Sequence, residues 1–178
     1  YRPIEVTVEA FQGESPIGKS SYLRHQIAPD VFVTVVNDGS IRGVLYAPKT
    51  PRKREGVIVM GGSSGGTDHY WARHVASTGV TVLNLAYFNY PELPDTLTNL
   101  PLEYFKEAID WLKHYTGADR VGLQGASRGG EAVLLISSVY PKDIACVVSY
   151  VPVHLKTAGF IPGTKTQTSA WTLRGDDL

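Results

Sequence analysis

One stretch constrains this chain more than any other, because it requires a strand, a sharp turn and a helix in immediate succession. Residues 120–140 read RVGLQGASRGGEAVLLISSVY. The apolar residues 121–123 predict a strand, and the spacing after Arg128 is that of a helix. Between them, GASRG fits the G-x-S-x-G pattern of the nucleophile elbow, in which a serine lies on a turn too tight for bulky neighbours. We therefore predict that Ser127 is a nucleophile, exposed at the rim of a sheet.

A nucleophilic serine needs backbone N–H groups that stabilise the oxyanion formed during attack. One donor is expected at Arg128, the residue after the nucleophile, and another in a loop of small residues after an earlier strand. Residues 61–66, GGSSGG, occupy that place, and we expect the second donor at Ser63. The alternatives for this loop are a tight turn and a phosphate cradle. It lacks the G-K-S/T ending of a P-loop and the G-x-G-x-x-G order, which argues against nucleotide binding.

The hydrophobic pattern of the chain changes near residue 56. Residues 4–10 alternate as in a half-buried strand, a polar connection follows, and residues 31–36 and 41–46 flank a hairpin turn. From residue 56 onward, short apolar strands alternate with helical patterns, which is typical of a parallel sheet flanked by helices. We therefore predict an α/β fold, specifically an α/β-hydrolase fold, preceded by a β-rich N-terminal segment. Residues 164–178 show no core pattern and indicate an excursion from the sheet.

The catalytic acid and base are harder to place. In this fold the chain order is Ser, then Asp or Glu, then His. The titratable candidates after Ser127 are Glu131, Asp143, His154, Asp176 and Asp177. Glu131 lies in the elbow helix, Asp143 precedes its strand, and the two last aspartates follow the histidine. Because only 51 of the 178 residues follow Ser127, we expect the catalytic acid and histidine beyond residue 178, and the 178 residues alone to be inactive.

Four further residues are candidates for a substrate pocket. Ser64 belongs to the glycine-rich loop, His69 follows it, Tyr87 begins an aromatic loop, and His154 follows the carboxyl end of a strand. Ligands collect at that edge of an α/β sheet. The alternative for each histidine is a surface or hydrogen-bonded structural role.

Charge and composition exclude several classes of protein. Basic and acidic residues both number 17, so no net field favours nucleic acid or a membrane surface. The longest apolar stretch, residues 144–153, is broken by Ser149 and Pro152 and is too short to span a bilayer. The single cysteine, Cys146, is expected to be a buried small apolar residue. The absence of disulfides is typical of a reducing compartment, and we expect a cytoplasmic protein without metal or cofactor.

Three segments carry a resemblance to a known family: VLNLAYFNYPELP, LPLEYFKEAIDWLK and VGLQGASRGGEAVLLISS. They resemble, in order and spacing, the C-terminal α/β-hydrolase domain of the acyl-CoA thioesterase and bile acid-CoA:amino acid N-acyltransferase family. The stretch HQIAPDVFVTVVNDGSIRGVLYAP is similar to that family's linker and first hairpin, and SAWTLRGDDL resembles a segment of bacterial members. The resemblance implies that residues 1–26 end an N-terminal β-sandwich domain and its linker. Residues 27–178 would be a partial hydrolase domain that lacks the strands bearing acid and base.

The resemblance also implies a function. The family's nucleophile corresponds to Ser127, and serine there is associated with hydrolysis, whereas cysteine is associated with acyl transfer. The expected activity is cleavage of acyl-CoA through an acyl-enzyme, with a small-molecule substrate and no nucleic acid or membrane partner. The alternatives are a dienelactone-hydrolase-like carboxylesterase or amidase, a CoA-dependent acyltransferase, and a binding domain on a hydrolase fold. The oligomeric state is not determined by the sequence.

Overall fold

The computed structural model of the chain describes residues 2–52, 54–67 and 69–178, with the backbone alone at His69. Its strands in chain order are β1 (Ile4–Gln12), β2 (Ser15–Arg24), β3 (Val31–Asp38), β4 (Ile41–Pro48), β5 (Gly56–Met60), β6 (Thr81–Leu85), β7 (Leu100–Pro101), β8 (Val121–Ala126), β9 (Ile144–Tyr150), β10 (Trp171–Leu173) and β11 (Asp176–Asp177). Its α-helices are α1 (His69–Ala76), α2 (Leu102–Thr116) and α3 (Arg128–Val139).

The main sheet of the described chain has six strands in the order β3-β4-β6-β5-β8-β9. The pairs β3–β4 and β4–β6 are antiparallel, whereas β6–β5, β5–β8 and β8–β9 are parallel. The parallel part arises because each crossover carries a helix that packs back onto the sheet. The prediction of a mostly parallel, helix-flanked sheet of the α/β-hydrolase type is confirmed.

The central strand β5 shows why its sequence is apolar throughout. Ile58 and Met60 belong to the core shared with α2 and α3, while Val59 belongs to a second core on the other face, with Ala72 and Ala76 of α1. Side chains alternate between faces along a strand, so a strand covered on both sides needs apolar residues at every position. The helices therefore lie on opposite faces, with α1 alone opposite α2 and α3.

The carboxyl ends of the parallel strands meet at one edge of the sheet. The glycine-rich loop 61–66 follows β5, an irregular aromatic loop follows β6, Ser127 follows β8, and residues 151–170 follow β9. In open α/β sheets this edge forms the ligand-binding crevice. The topology thus brings together segments that are far apart in the sequence.

One sequence-based expectation about the ends of the chain is wrong, and another holds only in part. Residues 15–24, expected to be a polar connection, form β2 and pair with β1 in a separate hairpin. Most of this hairpin is exposed, so no apolar alternation signals its second strand. Residues 164–178 lie outside the main sheet, as expected, and β10 pairs with β7 in a separate one. They nevertheless reach the core, because Trp171 is fully buried against Tyr87 and Phe105. A single large aromatic side chain provides this packing without any periodic pattern.

The environment of the single cysteine also differs from expectation. Cys146 is exposed rather than buried. Its strand, β9, is the last in the sheet order of the described residues and has a strand neighbour on one side only. An apolar run therefore does not guarantee burial when it forms an edge strand.

Candidate active site

Ser127 lies between β8 and α3 in a backbone conformation that L-residues seldom adopt. Its φ is 54° and its ψ is −116°, which costs about 1–3 kcal/mol unless the surroundings compensate. The Ser127 N–H donates to the carbonyl of Tyr150 at 2.9 Å, and the Ser127 carbonyl accepts from the Glu131 N–H at 3.0 Å. The side chain is exposed. The sharp turn thus projects a hydroxyl from the sheet edge, as the motif predicts.

The glycines of the motif are required by close contacts between main chains. A Cβ added to Gly125 would lie 2.2 Å from the carbonyl oxygen of Gly129, and one added to Gly129 would lie 2.3 Å from that of Gly61. Gly130, outside the motif, is similarly enclosed, since its Cβ would meet Ser149 Oγ at 2.9 Å and Tyr150 O at 3.0 Å. Side chains at Gly125 and Gly129 would force the end of β8, the start of α3 and the glycine-rich loop apart, and one at Gly130 would push α3 away from the end of β9.

The glycine-rich loop lies directly against the serine. A Cβ on Gly62 would approach Ser127 Cβ to 3.1 Å. The loop is held from the other side by Tyr87, whose hydroxyl donates to Gly61 O at 2.7 Å, and by Asn89, whose Nδ2 donates to Ser64 O at 2.8 Å. The aromatic loop after β6 therefore supports the segment that faces Ser127.

The two predicted oxyanion donors lie on the two segments that flank Ser127. Arg128 is the first residue of α3, where backbone N–H groups have no partner within the helix and the helix dipole favours negative charge. Ser63 is exposed and follows Gly62 in a turn closed by a hydrogen bond from Gly65 N–H to Gly62 O at 3.2 Å. This arrangement can stabilise an anion that forms beside the serine hydroxyl.

Tyr87, one of the candidate pocket residues, supports the glycine-rich loop through its hydroxyl. It is buried, and burial raises the pKa of its hydroxyl far above the ordinary range, with Arg128 acting weakly in the opposite direction. The neutral hydroxyl therefore acts as a hydrogen-bond donor to the glycine-rich loop. It does not titrate near neutral pH.

Sequence reasoning missed a buried carboxylate beside the elbow. Glu131 is almost fully buried and accepts hydrogen bonds from Arg128 Nη1 at 2.7 Å, from Thr157 N–H at 2.9 Å and Oγ1 at 3.0 Å, and from Trp171 Nε1 at 3.0 Å. Arg128 Nη2 also donates to Ala158 O at 2.8 Å. We call this set of contacts the Glu131 network. It attaches the residues after β9 to the elbow helix, and its sequence signal is the single acid of a helix that is mostly small and apolar.

An aromatic cluster flanks the elbow on the side of α1. The rings of Trp71 and Tyr150 stack with centroids 4.7 Å apart, and Tyr70 packs edge-on against Trp71 at 5.5 Å. Tyr150 is the residue whose carbonyl accepts the Ser127 N–H. The signal that could have found this cluster is the aromatic pair Tyr70-Trp71, which begins four residues after the glycine-rich loop.

Of the remaining candidates, His154 and Asp143 make no hydrogen bond to the Ser127 hydroxyl within the described residues. His154 is exposed and lines a cleft of about 210 Å³ against Leu134 and Leu135 of α3. A hydrogen bond from Lys113, followed by the charge of Lys106, lowers the pKa of Asp143, which precedes β9 at the opposite edge of the sheet. The side chain of His69, another candidate, lies outside the described residues. No side chain that the structure describes makes a hydrogen bond with Ser127 Oγ.

The described residues hold neither a candidate metal site nor a membrane-spanning helix. No group of three or more His, Cys, Asp or Glu side chains that could hold a metal ion occurs among them. Within the same residues, no helix combines the length and the apolar character that crossing a bilayer requires.

Comparison with known proteins adds a family match. Residues 100–166 match the family model described as BAAT / Acyl-CoA thioester hydrolase C terminal. The chain is 35% identical over 153 residues to acyl-coenzyme A thioesterase 1 of Rattus norvegicus, covering 82% of this chain and 36% of the relative. It is 33% identical over 175 residues to acyl-coenzyme A thioesterase 6 of Mus musculus, covering 90% and 42%. The chain therefore spans only about two fifths of the length of these relatives.

Solved structures agree on the fold. An acetyl xylan esterase from Aspergillus awamori superposes with a TM-score of 0.57 at 17% identity, over 68% of this chain and 52% of that one. The thermostable carboxylesterase EstE1, cloned from a metagenomic library, gives 0.54 at 23% identity, over 74% and 51%. Both superpositions place the chain in the α/β-hydrolase fold.

The strained backbone at Ser127 predicts an unusual order of stability. Ser127→Gly should be more stable than Ser127→Ala by about 1 kcal/mol, because glycine tolerates a positive φ that alanine does not. Urea unfolding monitored by circular dichroism measures the difference. Ser138, exposed within α3, is the matched control, where Gly should be less stable than Ala by about 0.5–1 kcal/mol. The same order at both positions would contradict the strain.

The Glu131 network predicts a large cost for removing its carboxylate. Glu131→Ala should lower the free energy of unfolding by about 3–5 kcal/mol, since Arg128 is left buried without its counter-charge. Glu131→Gln should cost less, because the amide oxygen still accepts a hydrogen bond. Asp110→Ala, which breaks the half-exposed Lys106–Asp110 pair, is the control and should cost about 1 kcal/mol or less. Equal losses for Glu131→Ala and Asp110→Ala in urea unfolding would contradict the role of the network.

Proposed function

Because this chain belongs to the acyl-CoA thioesterase and bile acid-CoA:amino acid N-acyltransferase family, as its C-terminal domain, we propose that it carries the nucleophile of a serine hydrolase that cleaves acyl-CoA thioesters. The nucleophile is Ser127. The observation that supports this most directly is the elbow itself: an exposed hydroxyl, on a strained turn, at the N-terminus of a helix and in contact with a glycine-rich loop.

The chemistry proceeds in two steps. Ser127 Oγ attacks the thioester carbonyl carbon, and the N–H groups of Arg128 and Ser63 hold the negative oxygen of the tetrahedral intermediate. The C–S bond then breaks, the CoA thiolate takes up a proton, and an acyl-serine ester remains. Water attacks this ester, the free acid leaves, and the serine hydroxyl is restored.

This chemistry needs a base that accepts the serine proton. Among the described residues no histidine contacts Ser127 Oγ, and His154 lies in a cleft against α3. We propose that the catalytic acid and histidine belong to protein chain outside these 178 residues. The length of the relatives, of which this chain spans about two fifths, supports that placement.

The N-terminal hairpin is proposed to belong to a different domain. Residues 1–26 are assigned to the end of a β-sandwich domain and its linker, and residues 27–178 to the hydrolase domain. The β1–β2 hairpin forms a sheet separate from the main one, and Val8, Phe11 and Ile17 on it are exposed. This separation supports the boundary.

The nucleophile is tested in the longer protein that contains this chain. A fluorophosphonate probe should label it covalently, and Ser127→Ala should abolish labelling and lower acyl-CoA hydrolysis about a thousandfold or more. Ser20→Ala, on the exposed strand β2, is the control and should retain both. The absence of labelling in the unsubstituted protein would exclude the serine mechanism and favour a binding domain.

Faster turnover of p-nitrophenyl esters than of acyl-CoA would instead favour the esterase. Acyl transfer to glycine or taurine would favour the acyltransferase.

The second oxyanion donor is tested by removing one N–H. Ser63 occupies the second position of the turn that Gly62 and Gly65 close, where proline is tolerated. Ser63→Pro should lower kcat about a hundredfold with little change in KM, because the lost donor acts in the transition state. Ser63→Ala keeps the N–H and should behave as the unsubstituted protein. Loss of activity in Ser63→Ala, or full activity in Ser63→Pro, would show that the donor lies elsewhere.

A further inference from the structure

A second cleft, of about 280 Å³, lies where the end of the β1–β2 hairpin meets α1. We call it the linker cleft. The polar and aromatic residues that line it are Arg24, His25, Gln26, Tyr70, Arg73 and His74. Four of these described residues, Arg24, His25, Arg73 and His74, have basic side chains.

One basic side chain of the linker cleft is available to a ligand. Arg24 is exposed and forms no salt bridge within the described residues, unlike Arg42 and Arg54, which each pair with an acid. An exposed arginine among further basic residues favours an anionic ligand, and the planar guanidinium matches phosphate oxygens.

The cleft wall on α1 is ordered by local contacts. Tyr70, Arg73 and His74 are spaced so that they share one face of the helix. The His74 Nδ1 bonds the Tyr70 carbonyl at 2.7 Å, and the two rings pack with centroids 4.5 Å apart. Arg73 Nη1 donates to Gln26 Oε1 at 2.7 Å, which joins the helix to the linker. The cleft thus combines cationic groups with an exposed aromatic ring.

Aromatic contacts connect this cleft with the nucleophile. Tyr70 packs on Trp71, Trp71 stacks on Tyr150, and Tyr150 O accepts the Ser127 N–H. His74 lies five residues after the start of α1, about 7.5 Å along the helix axis. Since α1 begins just after the glycine-rich loop, the cleft lies beside the active-site edge of the sheet.

We propose that the linker cleft binds the phosphorylated nucleotide end of a CoA thioester. Arg24, His25, Arg73 and His74 contact its phosphates, and Tyr70 stacks on the adenine ring. The phosphate-free arm then runs along Trp71 and Tyr150 to place the thioester at Ser127. This assignment rests on the proposed function. It adds the place where CoA, the leaving group, is bound and the side chains that bind it.

Another cleft lined by two arginines lies too far from Ser127 to hold a reacting thioester. It has a volume of about 310 Å³ and is lined by Arg52 and Arg54 together with Tyr115. It lies near the start of β5 and the end of α2, at the edge of the sheet opposite to Ser127, and Arg54 is paired with Asp119 at 2.7 Å. A thioester bound there could not reach the serine, so this cleft provides the matched control.

Binding of CoA to the chain itself tests the site without requiring catalysis. Isothermal titration calorimetry should show that CoA and adenosine 3′,5′-bisphosphate bind, and that Arg24→Ala or His74→Ala weakens both about tenfold. Arg52→Ala should leave both affinities unchanged, and pantetheine, which lacks phosphate and adenine, should bind at least tenfold more weakly than CoA. Thermal melting confirms that the variants are folded.

Unchanged CoA affinity in folded Arg24→Ala and His74→Ala, or pantetheine binding equal to that of CoA, would overturn the proposal. Inorganic phosphate binding as tightly as CoA would show a general phosphate site and overturn it as well.

Failure of the site can be distinguished from failure of the proposed function. In the longer protein, acyl-CoA hydrolysis that depends on Ser127 but keeps its KM in Arg24→Ala would reject the cleft and retain the function. Binding of CoA in the cleft without any Ser127-dependent hydrolysis would retain the cleft and reject the function. The expected result is a KM for acyl-CoA raised about tenfold in Arg24→Ala, with kcat little changed.

Discussion

The close approach of three main-chain segments at the elbow is the constraint on which the rest of the site depends. The end of β8, the start of α3 and the loop after β5 meet at Gly125, Gly129 and Gly61 without room for a Cβ at the first two. This contact holds Ser127 at a positive φ and keeps the glycine-rich loop beside its hydroxyl. Close packing of backbone provides a rigidity that flexible side chains could not, and a reacting serine requires such rigidity.

The Glu131 network extends this rigidity outward. Residues 151–170 lack long regular elements, yet Thr157, Ala158 and Trp171 are attached to the elbow helix through Glu131 and Arg128. Burying two charges is costly, and it is tolerated here because the carboxylate accepts four hydrogen bonds from the described residues. Arg128 thus has two functions. Its backbone begins α3 beside Ser127, and its side chain helps to order residues 151–170.

Prediction from sequence succeeded for local patterns and failed for isolated contacts. The parallel strands were found because apolar runs bounded by turns are a local signal, and the strand β2 was missed because an exposed hairpin has none. Cys146 was expected to be buried because its run is apolar, but burial depends on the strand's place in the sheet. Trp171 was missed because one aromatic residue enters the core without periodicity.

The sequence by itself determined the elbow, since the glycines and serine at residues 125–129 admit few backbone paths between a strand and a helix. It also determined the α/β class, through the alternation of apolar strands and helical patterns from residue 56. Only the tertiary structure decided that Glu131 meets Thr157 and Trp171 and that Arg24 lies near His74. Such contacts join residues 26 to 50 positions apart, and which distant side chains meet depends on how the whole chain packs around its core.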